Sequence, residues 1–343
     1  MHIRIGVLLF LVGGLLVAGC SGSTDNGPSG GAPPDRRYGV SSIRLGAQTN
    51  AEVAPEGPSL LLQGSGPPLD TAMQAHINQV ARQPLDVVVL AASTPSGADQ
   101  TPECSVILAL DNVHSCETIT LPDPRGAELA SVAQSVREAE VVYFAGGNQC
   151  NYVDWRGTAL HAAVEAVWER GGGVGGGSAG LAIQGGAVYD GCTGSVRSEE
   201  ALSNPYHPDI SFTTQYFEWP VLHRLITDSH FAERNRMGRL IAFVARQVDA
   251  RGGAPFTGLG INGDAAVVVG AGQQAKVYGG AAYLVHADHP AETLENGTPL
   301  TYTDLPIVRL QPGDTYDLAD RPLEDAYVRS VTDGTLSAAP YHP

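Results

Sequence analysis

Residues 175–183 read Gly-Gly-Gly-Ser-Ala-Gly-Leu-Ala-Ile, and within them Gly176-Gly177-Ser178-Ala179-Gly180 is a G-x-S-x-G pattern. A serine in that setting marks a nucleophile elbow, a sharp strand-to-helix turn that lifts the hydroxyl clear of the backbone. The flanking glycines allow the tight bend and leave room for a substrate. The helix that begins at Ala179 offers unpaired N–H groups to an oxyanion. The pattern therefore predicts hydrolytic chemistry at Ser178. Two other readings compete for the same glycines. Gly171, Gly173 and Gly176 satisfy G-x-G-x-x-G, but the run follows a predicted helix, and a glycine tract matches such a pattern by chance. The blandest alternative is a flexible loop.

Outward from the elbow, apolar runs alternate with helical spacing. Leu60–Leu62 reads as a strand entering the turn Gly64-Ser65-Gly66, and Asp86–Ala92 and Val141–Ala145 as buried parallel strands. Ser105–Leu110 is expected to be a further strand. Helices are expected over Thr71–Arg82, Ala127–Ala139 and Thr158–Arg170, the last with apolar residues at 160, 163, 164, 167 and 168 and a stop at Gly171. Such alternation predicts a doubly wound, mostly parallel α/β sheet. In these sheets ligands gather beyond the carboxyl ends of strands, where Gly146-Gly147 and Ser178 both fall. Ala265–Val269 is a later strand and Gln274–Val285 a hairpin-like pair; the last fifty residues carry turn signals without a clear period.

The ends and the charge bound the function. His2 and Arg4 precede an apolar run, Ile5–Val17, that closes on Val17-Ala18-Gly19-Cys20. This predicts a signal peptide over 1–19, too short for a comfortable membrane span. Cysteine directly after Val-Ala-Gly resembles the bacterial lipoprotein box, which implies lipid attachment at Cys20. Ser21–Pro34 is rich in Gly, Ser and Pro and suits a flexible tether. Twenty Lys and Arg against 36 Asp and Glu give a net charge of −16. That argues against nucleic acid, and against anionic membranes beyond the lipid anchor.

Four cysteines remain: Cys104, Cys116, Cys150 and Cys192. Outside the cytoplasm an even set is expected to pair, and four allow three connectivities. The arrangement expected is Cys104–Cys116 closing a short loop, with Cys150–Cys192 bridging two loops near the elbow. No C-x-x-C spacing favours a metal.

A serine hydroxyl needs a base at neutral pH. Among ten histidines, His230 stands in the densest polar setting, with Asp228 and Ser229 before it and Arg234, Arg236 and Arg239 after it. A solvated helix start capped by Asp228 or Ser229 is the other reading.

The segments FAGGNQ (144–149), GGGSAGLAI (175–183) and DSHFAERNRMGRL (228–240), in that order, resemble the cyanophycinase and dipeptidase E family of serine peptidases. GGNQ, YV and WRGT within 146–158, and SEEALSNPY at 198–206, are similar to an exported branch. The resemblance covers about residues 57–285. It implies a class I glutamine-amidotransferase-like sheet and hydrolysis without metal or organic cofactor. It makes Ser178 the nucleophile and His230 the general base. N–H groups of Ala179 and of Gly146 or Gly147 would form the oxyanion site. Gln149, Asp228, Arg236 and Arg239 would line the substrate cleft, where arginines clamp carboxylates in bidentate fashion. The chain is thus expected to hold a peptidase domain over 41–290, after a tether over 20–40 and before a C-terminal extension over 291–343. Oligomeric state stays open, a homodimer included.

One departure matters. Where the family usually reads G-I-D-E-x-T-A, with its glutamate orienting the histidine, this chain has Gly260-Ile261-Asn262-Gly263-Asp264-Ala265-Ala266. Asp264 is the candidate replacement, although neighbours in a strand point to opposite faces unless a bulge at Gly263 turns it inward. Two functions follow. One is an exported, lipid-anchored peptidase acting on cyanophycin-like or aspartyl peptide bonds. The other is a non-catalytic binding lipoprotein that kept the fold.

Overall fold

The computed structural model describes residues 37–94 and 97–342. The expected signal peptide, Cys20 and most of the tether lie outside these residues. Strands are numbered along the chain across two sheets. The first sheet contains β1 (Ser41–Gly46), β2 (Ser59–Gln63), β3 (Leu85–Ala91), β4 (Val113–Thr120), β5 (Val141–Phe144), β6 (Gly173–Gly177), β11 (Ala265–Val269), β12 (Gln274–Gly279) and β15 (Thr315–Asp317). The second contains β7 (Ala187–Tyr189), β8 (Phe212–Thr214), β9 (Leu225–Asp228), β10 (Phe256–Ile261), β13 (Ala282–Ala287), β14 (Tyr302–Leu310), β16 (Tyr327–Thr332) and β17 (Thr335–Leu336). The helices are α1 (Asp70–Val80), α2 (Pro102–Ile107), α3 (Ala130–Glu138), α4 (Gln149–Val153), α5 (Ala159–Glu169), α6 (Ala179–Ala182), α7 (Ser198–Ser203) and α8 (Met237–Ala250).

The first sheet runs β1-β4-β3-β5-β6-β2-β11-β12-β15. Its β4-β3-β5-β6-β2 stretch is parallel throughout. The apolar runs of β2, β3 and β5 serve both sides because both sides are covered. Leu61, Val87, Val89 and Tyr143 pack under α1 and α2. Leu60, Leu62, Val88, Leu90 and Phe144 turn to the other face, under α3 and α5. Side chains of a strand alternate faces, so one continuous apolar run feeds two cores. Each such residue, fully buried, contributes about 1.5–3 kcal/mol relative to exposure.

The second sheet runs β17-β16-β14-β13-β10-β9-β7-β8 and is mainly antiparallel, with β9 parallel to β10 and β7. Leu225, Leu259, Leu284 and Val308 join the core that also takes Val267 and Val277 of the first sheet. Ile226, Tyr283, Val285 and Ile307 face the other way, beneath Leu240, Ile241 and Val244 of α8. The expected mostly parallel sheet is therefore the five-strand run, and a second, mainly antiparallel sheet accompanies it. β10 and β13 are buried along their whole length. That gives them the continuous apolar pattern of parallel strands, which hides their direction.

Three local expectations change. Residues 102–107 are a helix rather than part of a strand: Pro102 sits in its first turn, where no N–H is needed, and the strand follows at Val113–Thr120. The glycine run is neither a loop nor a dinucleotide turn, since residues 173–177 are themselves β6, paired with β2 and β5. Finally β12 pairs with β11, while β13 leaves for the second sheet. Strands β14 to β17, from residues 302–336, extend both sheets. Among the described residues no helix is long and apolar enough to cross a membrane.

Candidate active site

β6 ends at Gly177, and Ser178 follows with φ 54° and ψ −107°. A non-glycine residue in such a region costs of the order of 1–3 kcal/mol, so neighbouring structure must hold it there. Ser178 N–H donates to Gln63 O at 3.1 Å, and Ala182 N–H donates to Ser178 O at 3.0 Å as α6 begins. Small residues are required around this bend. A Cβ on Gly180 would lie 2.1 Å from Phe144 O, so α6 rests directly on the backbone of β5.

The second sheet delivers His230. β9 ends at Asp228, and His230 follows with φ 44°. His230 N–H donates to Gly64 O at 3.3 Å and Phe231 N–H to Ile261 O at 3.2 Å. Two consecutive carbonyls at the end of β2, those of Gln63 and Gly64, therefore hold the serine and the histidine. The outcome is direct contact: Ser178 Oγ lies 2.9 Å from His230 Nε2. His230 is half-buried. Burial, then the Arg234 and Arg236 guanidinium groups, lower its pKa below the ordinary histidine value, against the pull of Glu233 and Asp228. The ring is thus neutral near pH 7 and free to accept a proton.

Both side chains face a cleft of about 310 Å³. Gly147 and Ala179 line it beside Ser178, and a Cβ on Gly146 would sit 3.7 Å from Ser178 Cβ. Gln149, Asp228, Arg236 and Arg239 line it too. Gln149 Nε2 donates to Tyr189 O at 3.2 Å. Asp228 is buried and already fully engaged. It accepts from Arg239 Nε at 2.7 Å, from Arg239 Nη2, from Ser229 N–H at 2.9 Å and from Arg236 Nη1 at 3.3 Å. Asp228 therefore orients the two arginines. Desolvation, partly offset by Asp228, lowers the Arg236 pKa to about 10, which leaves this cation favouring a further anion in the cleft.

The expected third member is placed elsewhere. Residues 262–264 form a turn between β10 and β11, closed by Ala265 N–H to Asn262 O at 3.0 Å, so strand alternation does not apply there. Asp264 is exposed, and a Cβ on Gly280 would fall 1.9 Å from its Oδ1. Among the described residues no carboxylate makes a hydrogen bond or ion pair with the His230 ring, whose bond is the one to Ser178.

From the sequence Arg234 stands only in the polar setting of His230, yet it lines the cleft; the carbonyls of Gln63 and Gly64 were missed. The spacing of Arg234 from Arg236 and Arg239 was the available signal for the first; nothing local signalled the second. Cys104–Cys116 and Cys150–Cys192 are both formed. The latter joins α4, next to Gln149, to the loop whose Gly191 and Gly194 also line the cleft. A larger hollow of about 650 Å³ lies beside the C-terminal end of α8, around Phe212, His223 and Arg246.

No family model and no curated protein matches the sequence. Among solved structures, a peptidase from an acI-B1 actinobacterium matches with a TM-score of 0.50 at 16% identity, over 77% of this chain and 98% of that one. A peptidase E candidate from Listeria monocytogenes EGD-e matches with a TM-score of 0.43 at 15% identity, over 65% of this chain and 98% of that one. With its parallel run, its elbow and its second sheet, the chain shares the mixed α/β fold of the actinobacterial peptidase.

Proposed function

We propose that the chain is a serine-type peptidase of the cyanophycinase and dipeptidase E kind, on a class I glutamine-amidotransferase-like sheet, exported and anchored by lipid at Cys20. Its bonds are aspartyl peptide or β-aspartyl-arginine links. The observation that carries the reading is the 2.9 Å contact between Ser178 Oγ on the strained elbow and His230 Nε2. Ser178 Oγ attacks the carbonyl carbon while His230 takes its proton. Negative charge on the carbonyl oxygen is met by the N–H groups of Ala179 and Gly147. His230 then gives the proton to the departing amine, and water, deprotonated by the same ring, releases the acyl group and restores Ser178. Arg236 and Arg239, aligned by Asp228, present positive charge to the aspartyl carboxylate of the substrate, and Gln149 borders the same space. No metal or organic cofactor enters this scheme.

Mature protein incubated with cyanophycin and with β-aspartyl-arginine tests it. Hydrolysis by wild type and loss of at least about 10³-fold in Ser178→Ala, in line with removal of a triad member, is the expected result. Unchanged turnover in Ser178→Ala defeats the proposal. A second reading, a binding lipoprotein without chemistry, is favoured by one observation: among the described residues no carboxylate bonds to the His230 ring. A fluorophosphonate probe separates the two, because labelling of wild type and not of Ser178→Ala requires an activated serine.

A further inference from the structure

The turn between β9 and α8, residues 229–236, carries His230, Arg234 and Arg236 without a helix or strand to hold it. Two of its residues stand in the left-handed region, His230 at φ 44° and Asn235 at φ 48°, where side chains are strained and neighbours must fix the backbone. Arg236 N–H donates to Phe231 O at 2.9 Å and Asn235 N–H to Ala232 O at 3.0 Å, so the turn closes on itself. On one side β10 grips it: Phe231 N–H donates to Ile261 O at 3.2 Å, and a Cβ on Gly260 would fall 2.4 Å from the Phe231 ring. On the other side stands Tyr341. Its hydroxyl accepts from Met237 N–H at 3.1 Å and lies 3.4 Å from both Phe231 O and Asn235 Oδ1, either of which takes its hydrogen. Its ring meets those of Phe231 and Tyr283 edge-on, with centroids 5.8 and 5.4 Å away. Met237 opens α8, and the Arg236 side chain just before it makes no cap bond. The Tyr341 hydroxyl supplies the cap from outside the helix.

Tyr341 is itself seated. Buried Arg329 of β16 donates to Ala339 O from Nε at 3.0 Å and from Nη2 at 2.8 Å, and Nη2 also donates to His342 O. The Tyr327 hydroxyl donates to Pro340 O at 2.6 Å. The second sheet thus reaches the turn twice, through β10 and through residues 339–342. We propose that Tyr341 is a positioning residue of the candidate active site: its hydroxyl clasps both ends of the 231–237 turn and so sets the place of His230 and Arg236. Tyr341 does not line the cleft, and its action passes through the backbone. Phe231 directly follows His230. Met237 directly follows Arg236, whose Nη1 donates to Ser229 O at 2.7 Å and to Asp228 Oδ1 at 3.3 Å. Without the clasp the strained backbone of His230 relaxes, and the 2.9 Å contact with Ser178 Oγ goes with it. Tyr341 belongs to residues 291–343, outside the stretch that resembles the peptidase family, so the resemblance gives it no role.

The inference rests on the serine-peptidase reading, but its first readout needs no substrate. Ser178→Ala removes the partner of His230 Nε2, so in an otherwise wild-type chain it shifts the NMR signals of the His230 ring, which are assigned by their loss in His230→Asn. Tyr341→Phe keeps the ring packing and deletes the hydroxyl. In that background Ser178→Ala is expected to leave the His230 signals almost still, because the ring has already parted from the serine. Tyr341→Phe is also expected to lose about 10–10²-fold in kcat/KM, the scale of a displacement of about 1 Å, with kcat lowered through His230 and KM raised through Arg236. Tyr316→Phe is the control for a merely structural role. It removes a tyrosine hydroxyl bonded to Pro322 O and His286 Nε2, and both readouts are expected to stay at wild type. Should Tyr341→Phe fail to fold, Arg329→Gln, which frees residues 339–342 and leaves Tyr341 intact, is expected to give the same two losses. A folded variant of either residue whose His230 signals respond to Ser178→Ala as in wild type overturns the proposal, and so does a loss of kcat/KM no greater than in Tyr316→Phe. A wild type inert toward both substrates and the fluorophosphonate probe overturns the peptidase reading instead, and the ring signals alone then decide the role of Tyr341.

Discussion

Asp228 shows how much of this site is fixed by one buried charge. Its carboxylate accepts from two arginines, and the Arg239 guanidinium behind it is also stacked over the Tyr189 ring at 5.2 Å. Asp228→Asn keeps the shape and removes the charge, leaving Arg239 buried without its counter-ion. Such a change costs about 3–5 kcal/mol. Urea unfolding should show the loss as a lower midpoint at unchanged slope, and equal stability of the two proteins would contradict the assignment. Ser178 and His230 were legible in sequence because each carries its signal locally: glycines around a serine, polar groups around a histidine. The fate of position 263 was not. Whether Asp264 reaches His230 depends on a turn between two strands, which no single residue of the segment announces.

At the scale of elements, the end of β2 is the joint of the site, since Gln63 O and Gly64 O hold Ser178 and His230. Gly64 has no room to spare: a Cβ there would fall 1.8 Å from Asn262 O, a backbone atom that cannot swing aside. Gly64→Ala is expected to cost about 1–3 kcal/mol as overpacking and to displace the β10–β11 turn with it. Because both Ser178 and His230 depend on that joint, probe labelling at Ser178 should fall further than the stability loss alone explains; full labelling with a matched midpoint would refute this. In sequence, Gly64-Ser65-Gly66 announces only a turn. The error at 105–110 has the same origin. Val106, Ile107 and Leu108 are apolar enough for a strand, but Pro102 starts a helix whose inner face, Cys104 and Ile107, packs on the sheet, while the true strand β4 contains His114, Ser115, Glu117, Thr118 and Thr120 and so lacks any apolar pattern.

Across the whole molecule, two buried histidines tie stability to acidity. Burial lowers His76 to about 3; its Nδ1 meets Ser59 Oγ at 2.8 Å, while Nε2 has no hydrogen-bond partner. Burial, with Arg321 nearby, lowers His286 to about 4; its ring lies between Thr257 of the second sheet and Tyr316 of the first, each at 3.2 Å. Above about pH 6.5 folded and unfolded chains alike carry these rings neutral. Below it the unfolded chain binds protons that the folded one refuses, so stability declines as pH drops, by up to about 1.4 kcal/mol per pH unit for each ring. Denaturation between pH 7 and pH 5, above most carboxylate titration, should reveal the slope; a flat response would show that these rings are solvated in the native protein. The parallel half of the molecule was readable because its strands and helices alternate along the chain. The second sheet was not, because its strands are equally apolar and their partners are set by long-range pairing such as β10 with β13 and β13 with β14. The Cys150–Cys192 bridge carries a last implication. It joins α4 to the loop of Gly191 and Gly194, both beside the cleft, so a newly made chain still bathed in thiols would possess Ser178 and His230 without that covalent tie in the wall. Because such bonds form in an oxidising compartment, the cleft would gain its final shape only there.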